Sequence, residues 1–204
     1  MALTSRLGAL VVLCGLIAGC AGGMPTTHYY VLRPPSEAQG EARIATVEDG
    51  LVVGVEAFAV DPPYDQDRIV YRRGRDSPEV GFYAYHRWAS PLGRLVSIAF
   101  AERLRGTPGI AAIEPATTSD DYSARLRGRV LYLEEVDSED GQEARVAVEL
   151  ELWDRDGRAL WSQTVSGTAS GRAVTGDEVV LLVRRAFDSA LETARQGLTA
   201  ALEP

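Results

Sequence analysis

The sequence contains no lysine; all 21 basic side chains are arginine. Arginine at every basic position is a compositional trait and marks no particular site. Cysteine is nearly absent too, at Cys14 and Cys20 alone, and histidine is confined to His28 and His86. No HExxH pair occurs, and a structural zinc site needs more ligands than these. No Walker-type phosphate loop is present, so any ATP use belongs to another protein. "GTASG", Gly167 to Gly171, has its serine one place late for a G-x-S-x-G nucleophile turn. It follows a strand without opening a helix, so it reads as a loop. The expectation is a protein with no catalytic residue, no metal ligands and no cofactor, and not an enzyme.

Positive charge is also scarce. The net charge is −8, whereas a nucleic-acid binder is basic or carries a basic stripe. A small cluster, "RRGR" at Arg72 to Arg75, reads as a solvated turn. Glu134, Glu135, Asp137, Glu139 and Asp140 read as the solvated tip of a hairpin. Catalytic carboxylate pairs need a cleft that holds their pKa values apart.

Leu7 to Ala18 is an apolar run preceded by Arg6 and followed by small residues. It is shorter than the ~20 residues of a spanning helix. Charged, apolar and small residues in that order make a secretory signal. Ile17-Ala18-Gly19-Cys20 resembles a bacterial lipobox. The resemblance implies cleavage before Cys20, with lipid on its sulfur and new amino group. Bacterial lipoproteins typically carry three acyl chains, and each buried methylene contributes ~0.8 kcal/mol, so such an anchor is durable. Ala21, where an inner-membrane lipoprotein has Asp, favours the outer membrane. Cleavage leaves 185 residues at a net charge of −9, with their one thiol occupied. No disulfide is then available, although the periplasm permits one. At that length a single domain with its own core is the default.

The periodicity divides the chain into residues 1–19, a signal peptide; 20–27, a lipidated flexible leader; and 28–204, a periplasmic domain. His28 to Leu32, Leu51 to Val60, Asp67 to Arg72 and Gly81 to Tyr85 have strand character, with Pro and Gly between them. Ser36 to Gly50 is polar and reads as loop. From Pro91 to about Arg105 the period becomes helical, with Ser90 placed to cap. Ile110 to Ile113 predicts a short strand. Ser123 to Val136, Ala144 to Trp153 and Ala159 to Ala169 predict an antiparallel meander, with Asp140-Gly141 and Asp156-Gly157 in its turns. In the middle strand Ala144, Val146, Val148, Leu150 and Leu152 alternate with Arg145, Ala147, Glu149 and Glu151. One buried face and one wet face follow. About Asp177 to Leu202 forms a long helix whose apolar stripe packs on the sheet. The fold class is α+β: one domain, an antiparallel or mixed sheet covered by two main helices, about 91–105 and 177–202.

Aromatics concentrate in the first half. Strand alternation sets Tyr83 and Tyr85 on one face and Phe82 on the other. Tyr and Trp join a large apolar area to a polar tip, so they serve both cores and interfaces.

The series "YYVL" after the lipobox, "VGVEAFAVDPPYDQDRIVYR", "YHRWASPL", "LRGRVLYLEE" and "VELELWDRDGRALW" resembles the ABC-type transport auxiliary lipoprotein components, which include the lipoprotein of the paraquat-inducible operon. The likeness covers nearly the whole mature chain, but the loop Ser36 to Gly50 has no feature that matches the family. It implies a non-catalytic partner of a mammalian-cell-entry (MCE) domain protein, with a permease and an ATPase in the same system. Such systems are associated with moving lipids or other hydrophobic molecules between the two membranes of Gram-negative cells. The position implied is the periplasmic face of the outer membrane. Family position and aromatic character pick out Tyr29, Tyr30, Leu32, Tyr85 and Trp88 as partner contacts. MCE proteins form rings, which raises a homo-oligomer here. Two other classes stand beside this one: a lipid-binding carrier, and an envelope-assembly or secretion lipoprotein with another partner.

Overall fold

A computed structural model describes residues 25–32, 50–116 and 122–203. The signal peptide, Cys20, the first part of the leader and nearly all of the polar stretch before Leu51 lie outside the described residues. Nine strands among the described residues share one sheet. They are β1 (His28–Tyr30), β2 (Leu51–Val55), β3 (Ala59–Val60), β4 (Arg68–Arg72), β5 (Val80–Trp88), β6 (Ile110–Pro115), β7 (Ala124–Ser138), β8 (Gly141–Asp154) and β9 (Ala159–Gly171). The helices are α1 (Leu92–Arg103) and α2 (Gly176–Leu202). The architecture is a mixed-sheet α+β domain.

The long strand β7 organises the sheet. One edge pairs antiparallel with β8 from Ala124 to Ser138, and β8 pairs antiparallel with β9. This is the meander that the alternating pattern predicts. Gly141 and Gly157 turn its hairpins with φ of 142° and 78°, a region open to glycine because it lacks Cβ. The other edge of β7 takes β2, β3 and β4 in succession, all parallel. From this side two arms diverge: β6 pairs with β2, and β5 and then β1 extend β4.

Leu51 to Val60, expected as one strand, is two. Between β2 and β3 the chain bends so that Phe58 enters the core, its ring 5.4 Å from that of Phe100. The bend shifts pairing along β7 from Val55–Leu126 to Ala59–Arg129. Gly128 makes room, because a Cβ there would lie 2.5 Å from the Phe58 ring.

The helices meet through Phe100 and Phe187, whose rings pack edge to face at 5.7 Å. Ser90 does not cap α1; Pro91 holds the cap position at φ −48°, ψ 130°, with no side-chain bond. Its carbonyl accepts from the amides of Arg94 and Leu95. α2 starts on a capping box: Thr175 accepts from the Glu178 amide, and Glu178 reaches back to the Thr175 amide. Two orphan donors are thereby satisfied. Val179, Val183, Phe187, Leu191 and Leu198 of α2 are buried, as its stripe predicts, each contributing ~1.5–3 kcal/mol.

Gly167 to Gly171, expected as a loop, is the end of β9. Its small residues let α2 settle on the strand: a Cβ on Gly167 would lie 2.0 Å from the Ala186 carbonyl oxygen. On β8, Ala144, Val146, Val148, Leu150 and Leu152 are fully buried, and Ala147 on the other face is buried as well.

Candidate functional site around the first strand

Residues 25–27, the end of the expected leader, run into β1. This strand has three residues and lies parallel to the end of β5, with His28 beside His86 and Tyr30 beside Trp88. The Ala89 amide donates to the Tyr30 carbonyl at 2.8 Å. A three-residue strand is weakly held by its ladder alone, so side chains must fix it. Leu32 and Trp88, just 4% and 3% exposed, belong to the core. They bolt the strap down and are not available to a partner while it is docked. Tyr29 is 66% exposed and Tyr85 44%. Tyr30 is half-buried. Of the five residues chosen from sequence, three therefore reach the surface near the leader, and two hold the strap from beneath.

Around Tyr30 the structure gathers residues that no spacing in the sequence connects. The Tyr30 hydroxyl donates to Asp177 Oδ1 at 2.6 Å. His86 Nδ1 lies 2.7 Å from the same hydroxyl oxygen. A hydroxyl has one proton, so with that proton on Asp177 the imidazole is the donor to Tyr30. The order His86, Tyr30, Asp177 runs from β5 through β1 to the first turn of α2. Burial, then the bond to Asp177, pushes the Tyr30 hydroxyl well above its ordinary pKa, so it stays protonated. The His28 ring stacks on that of His86 at 5.4 Å, and Tyr83 meets it edge-on at 5.5 Å. Gly176 closes the site: a Cβ there would lie 2.2 Å from the His86 ring.

Tyr83 and His86 are three apart, so strict alternation puts them on opposite faces. The alternation fails because β5 carries extra residues. Arg68 pairs with Arg87, whereas Val70 pairs with Phe82. The bulge separates the two tyrosines predicted to share a face. Tyr83 turns inward and donates to Glu135 Oε2 at 2.5 Å, whereas Tyr85 is exposed.

Glu134 and Glu135 correct a second expectation. They are not at a hairpin tip but within β7, and both are buried. Glu134 accepts from Tyr64 at 2.7 Å, from Arg145 Nε at 2.7 Å and from Arg72 Nε at 3.3 Å. Burial alone raises the Glu134 carboxyl, but these three donors outweigh it and hold the group below the usual carboxylate range. Tyr64 is pushed up to about 12, by burial first and then by its bond to Glu134. Glu135 accepts from Tyr83, yet burial dominates and its pKa is raised. Arg72 of the "RRGR" cluster is thus an internal partner and not a solvated turn. The remainder of that cluster is exposed or half-buried. Nothing in the local sequence distinguishes Glu134 from its neighbours; the partners come from β4, β8 and the connection that precedes β4.

Among the described residues, no group of three or more His, Cys, Asp and Glu side chains could hold a metal ion. No described helix is long and apolar enough to cross a membrane. An open groove of 510 Å³ lies at the β7–β8 turn, lined by Arg75, Asp137, Asp140, Glu143 and Arg172 among others. Most of its lining residues are polar or charged, with Val136 and two glycines among them.

These features define a class: a mixed-sheet α+β domain whose short first strand lies at the sheet edge beside exposed tyrosines. The model of the ABC-type transport auxiliary lipoprotein components matches residues 30–194, and the chain belongs to that family. It is an auxiliary, membrane-anchored envelope component of an ABC-type transport system. The fold is similar to a crystal structure of an uncharacterised protein, at a TM-score of 0.65 and 16% identity, over 85% of this chain and 99% of that one. It is also similar to protein XCC0632 from Xanthomonas campestris, at a TM-score of 0.59 and 18% identity, over 84% and 92%. At these identities the likeness concerns fold alone. Among curated proteins no sequence matches.

Proposed function

We propose that this protein is lipidated at Cys20, sits on the periplasmic face of the outer membrane, and docks an MCE-domain partner to it. The transport system so joined carries lipids or other hydrophobic molecules, with its permease and ATPase elsewhere. Family membership over residues 30–194 carries the reading. Two further observations support it. The lipobox-like Ile17-Ala18-Gly19-Cys20 stands five residues before the first described residue, Pro25. Tyr29 and Tyr85 are exposed beside the point where the leader enters, and aromatic side chains of this kind are enriched in interfaces.

The partner contacts are Tyr29, Tyr30 and Tyr85, with Leu32 and Trp88 supporting them from the core. A leader of eight residues reaches about 25–30 Å when extended. That length keeps these tyrosines near the headgroups, where the end of a periplasm-spanning assembly must arrive.

The test is capture of the tagged full-length protein from detergent-solubilised membranes. Recovery of an MCE-domain protein, and its loss on Cys20→Ser with the variant released from the envelope fraction, supports the reading. Recovery of no MCE-domain protein, under conditions that preserve other envelope complexes, overturns it.

A further inference from the structure

Beside the core contacts of Leu32 and Trp88, a stacked pair of histidines helps to hold the strap on the sheet. His86 is contacted from three elements: by His28 and Tyr30 of β1, by Tyr83 of β5, and by the start of α2, where Asp177 holds the far side of Tyr30. Asp177 is the one carboxylate in this set. The other chemical groups are two imidazoles and two phenols. When both imidazoles are neutral they stack at 5.4 Å without charge. When His86 is protonated, its charge is partly withdrawn from water and faces the stacked ring of His28 across that gap. Asp177 offsets this in part, through Tyr30. The Tyr30 bond itself does not break on protonation, because His86 donates through Nδ1 in either state. The cost falls on the stack and on the desolvated ring, both of which exist only while β1 is docked.

We infer that the docking of β1 on β5 is a pH-sensitive joint, closed while the His86 ring is neutral and loosened when that ring carries charge beneath His28. This rests on the proposed docking role for its consequence: closure holds exposed Tyr29 and Tyr85 side by side on neighbouring strands, and loosening disperses them. Burial first, then the charge of His28, lowers the pKa of His86, with Asp177 acting against them. The sign follows: a lowered folded-state pKa gives a stabilisation present above the ordinary histidine value and lost as pH falls through the lowered one. Local opening of the strap is the natural outlet, since short edge segments open at lower free energy than a core meander.

Hydrogen exchange of the full-length protein in detergent, without partner, tests this between about pH 7.5 and about pH 5, either side of the ordinary histidine pKa. After correction for intrinsic exchange chemistry, opening at the β1 amides rises several-fold on acidification, while β8 amides keep their protection. His28→Gln, which leaves the His86–Tyr30–Asp177 chain in place, weakens the rise, and the double variant with His86→Gln abolishes it. Unchanged β1 protection across the range overturns the joint, and so does a full acid response in the double variant. Failure to capture an MCE-domain protein while the exchange response persists removes the docking role and leaves the joint standing.

Discussion

Arg145 stands directly across the β7–β8 ladder from Glu134 and donates to its Oε1 through Nε at 2.7 Å. With Arg72 and Tyr64 on the other side, that carboxylate is enclosed by donors. Removing one partner of a buried pair costs far more than the pair itself contributes, since the charges left behind lose their compensation. Glu134→Gln is expected to cost about 3 kcal/mol in urea unfolding at neutral pH. Its lowered pKa adds a sign: the stabilisation is present above the ordinary carboxylate range and is lost as pH falls through the lowered value. The next residue behaves oppositely. The raised pKa of Glu135 gives a stabilisation present below the ordinary range and lost as pH rises through the raised value. Glu135→Gln is therefore expected to cost far less at neutral pH than Glu134→Gln. Urea titrations of the two variants at several pH values check both signs.

Two glycines give a contrast that separates backbone contact from flexible contact. At Gly167 the added Cβ meets the Ala186 carbonyl oxygen at 2.0 Å and the Ala190 amide nitrogen at 2.9 Å, both helix backbone. At Gly197 the nearest atom, also at 2.0 Å, is the amide oxygen of Gln163, the far end of a flexible side chain. Gly167→Ala is expected to destabilise by about 2–3 kcal/mol, since α2 must lift off β9. Gly197→Ala is expected to stabilise by up to about 1 kcal/mol, the helix preference for Ala over Gly, once Gln163 swings aside. Thermal unfolding of the two proteins decides this.

The five residues picked out by the resemblance are expected to split by burial. Trp88→Ala removes a core side chain and should cost about 3–5 kcal/mol. Tyr29→Ser and Tyr85→Ser alter exposed positions and should change stability by less than about 0.5 kcal/mol each. Partner capture should nonetheless fall with the tyrosine variants. Measuring unfolding and capture on the same samples distinguishes a lost contact from a lost fold.

Local patterning predicts the structure where it agrees with tertiary packing. The β8 alternation and the α2 stripe each specify a buried face, and both faces are buried as specified. Local patterning fails where long-range contact sets local form. Phe58 breaks an otherwise continuous strand because Phe100, far along the chain, offers it a place. The β5 bulge reverses the alternation beyond Tyr83, and no residue in "GFYAYHRW" announces it. Buried Glu134 looks like its acidic neighbours until Arg72 and Arg145 arrive from other strands. The capping box of Thr175 and Glu178 has the spacing such a box requires, but it is not among the expectations, which begin this helix at about Asp177. At the site, exposure of Tyr29 and Tyr85 needed the structure, and the link from Tyr30 to Asp177 depends on a parallel pairing that sequence spacing does not encode.

Photo-crosslinking in cells tests the central claim most directly. A photoreactive side chain placed at position 29 or 85 should capture an MCE-domain protein, and one at exposed Leu160 on β9 should not. Equal capture from position 160, or none from 29 and 85 in membranes where the MCE-domain protein is present, would contradict the account.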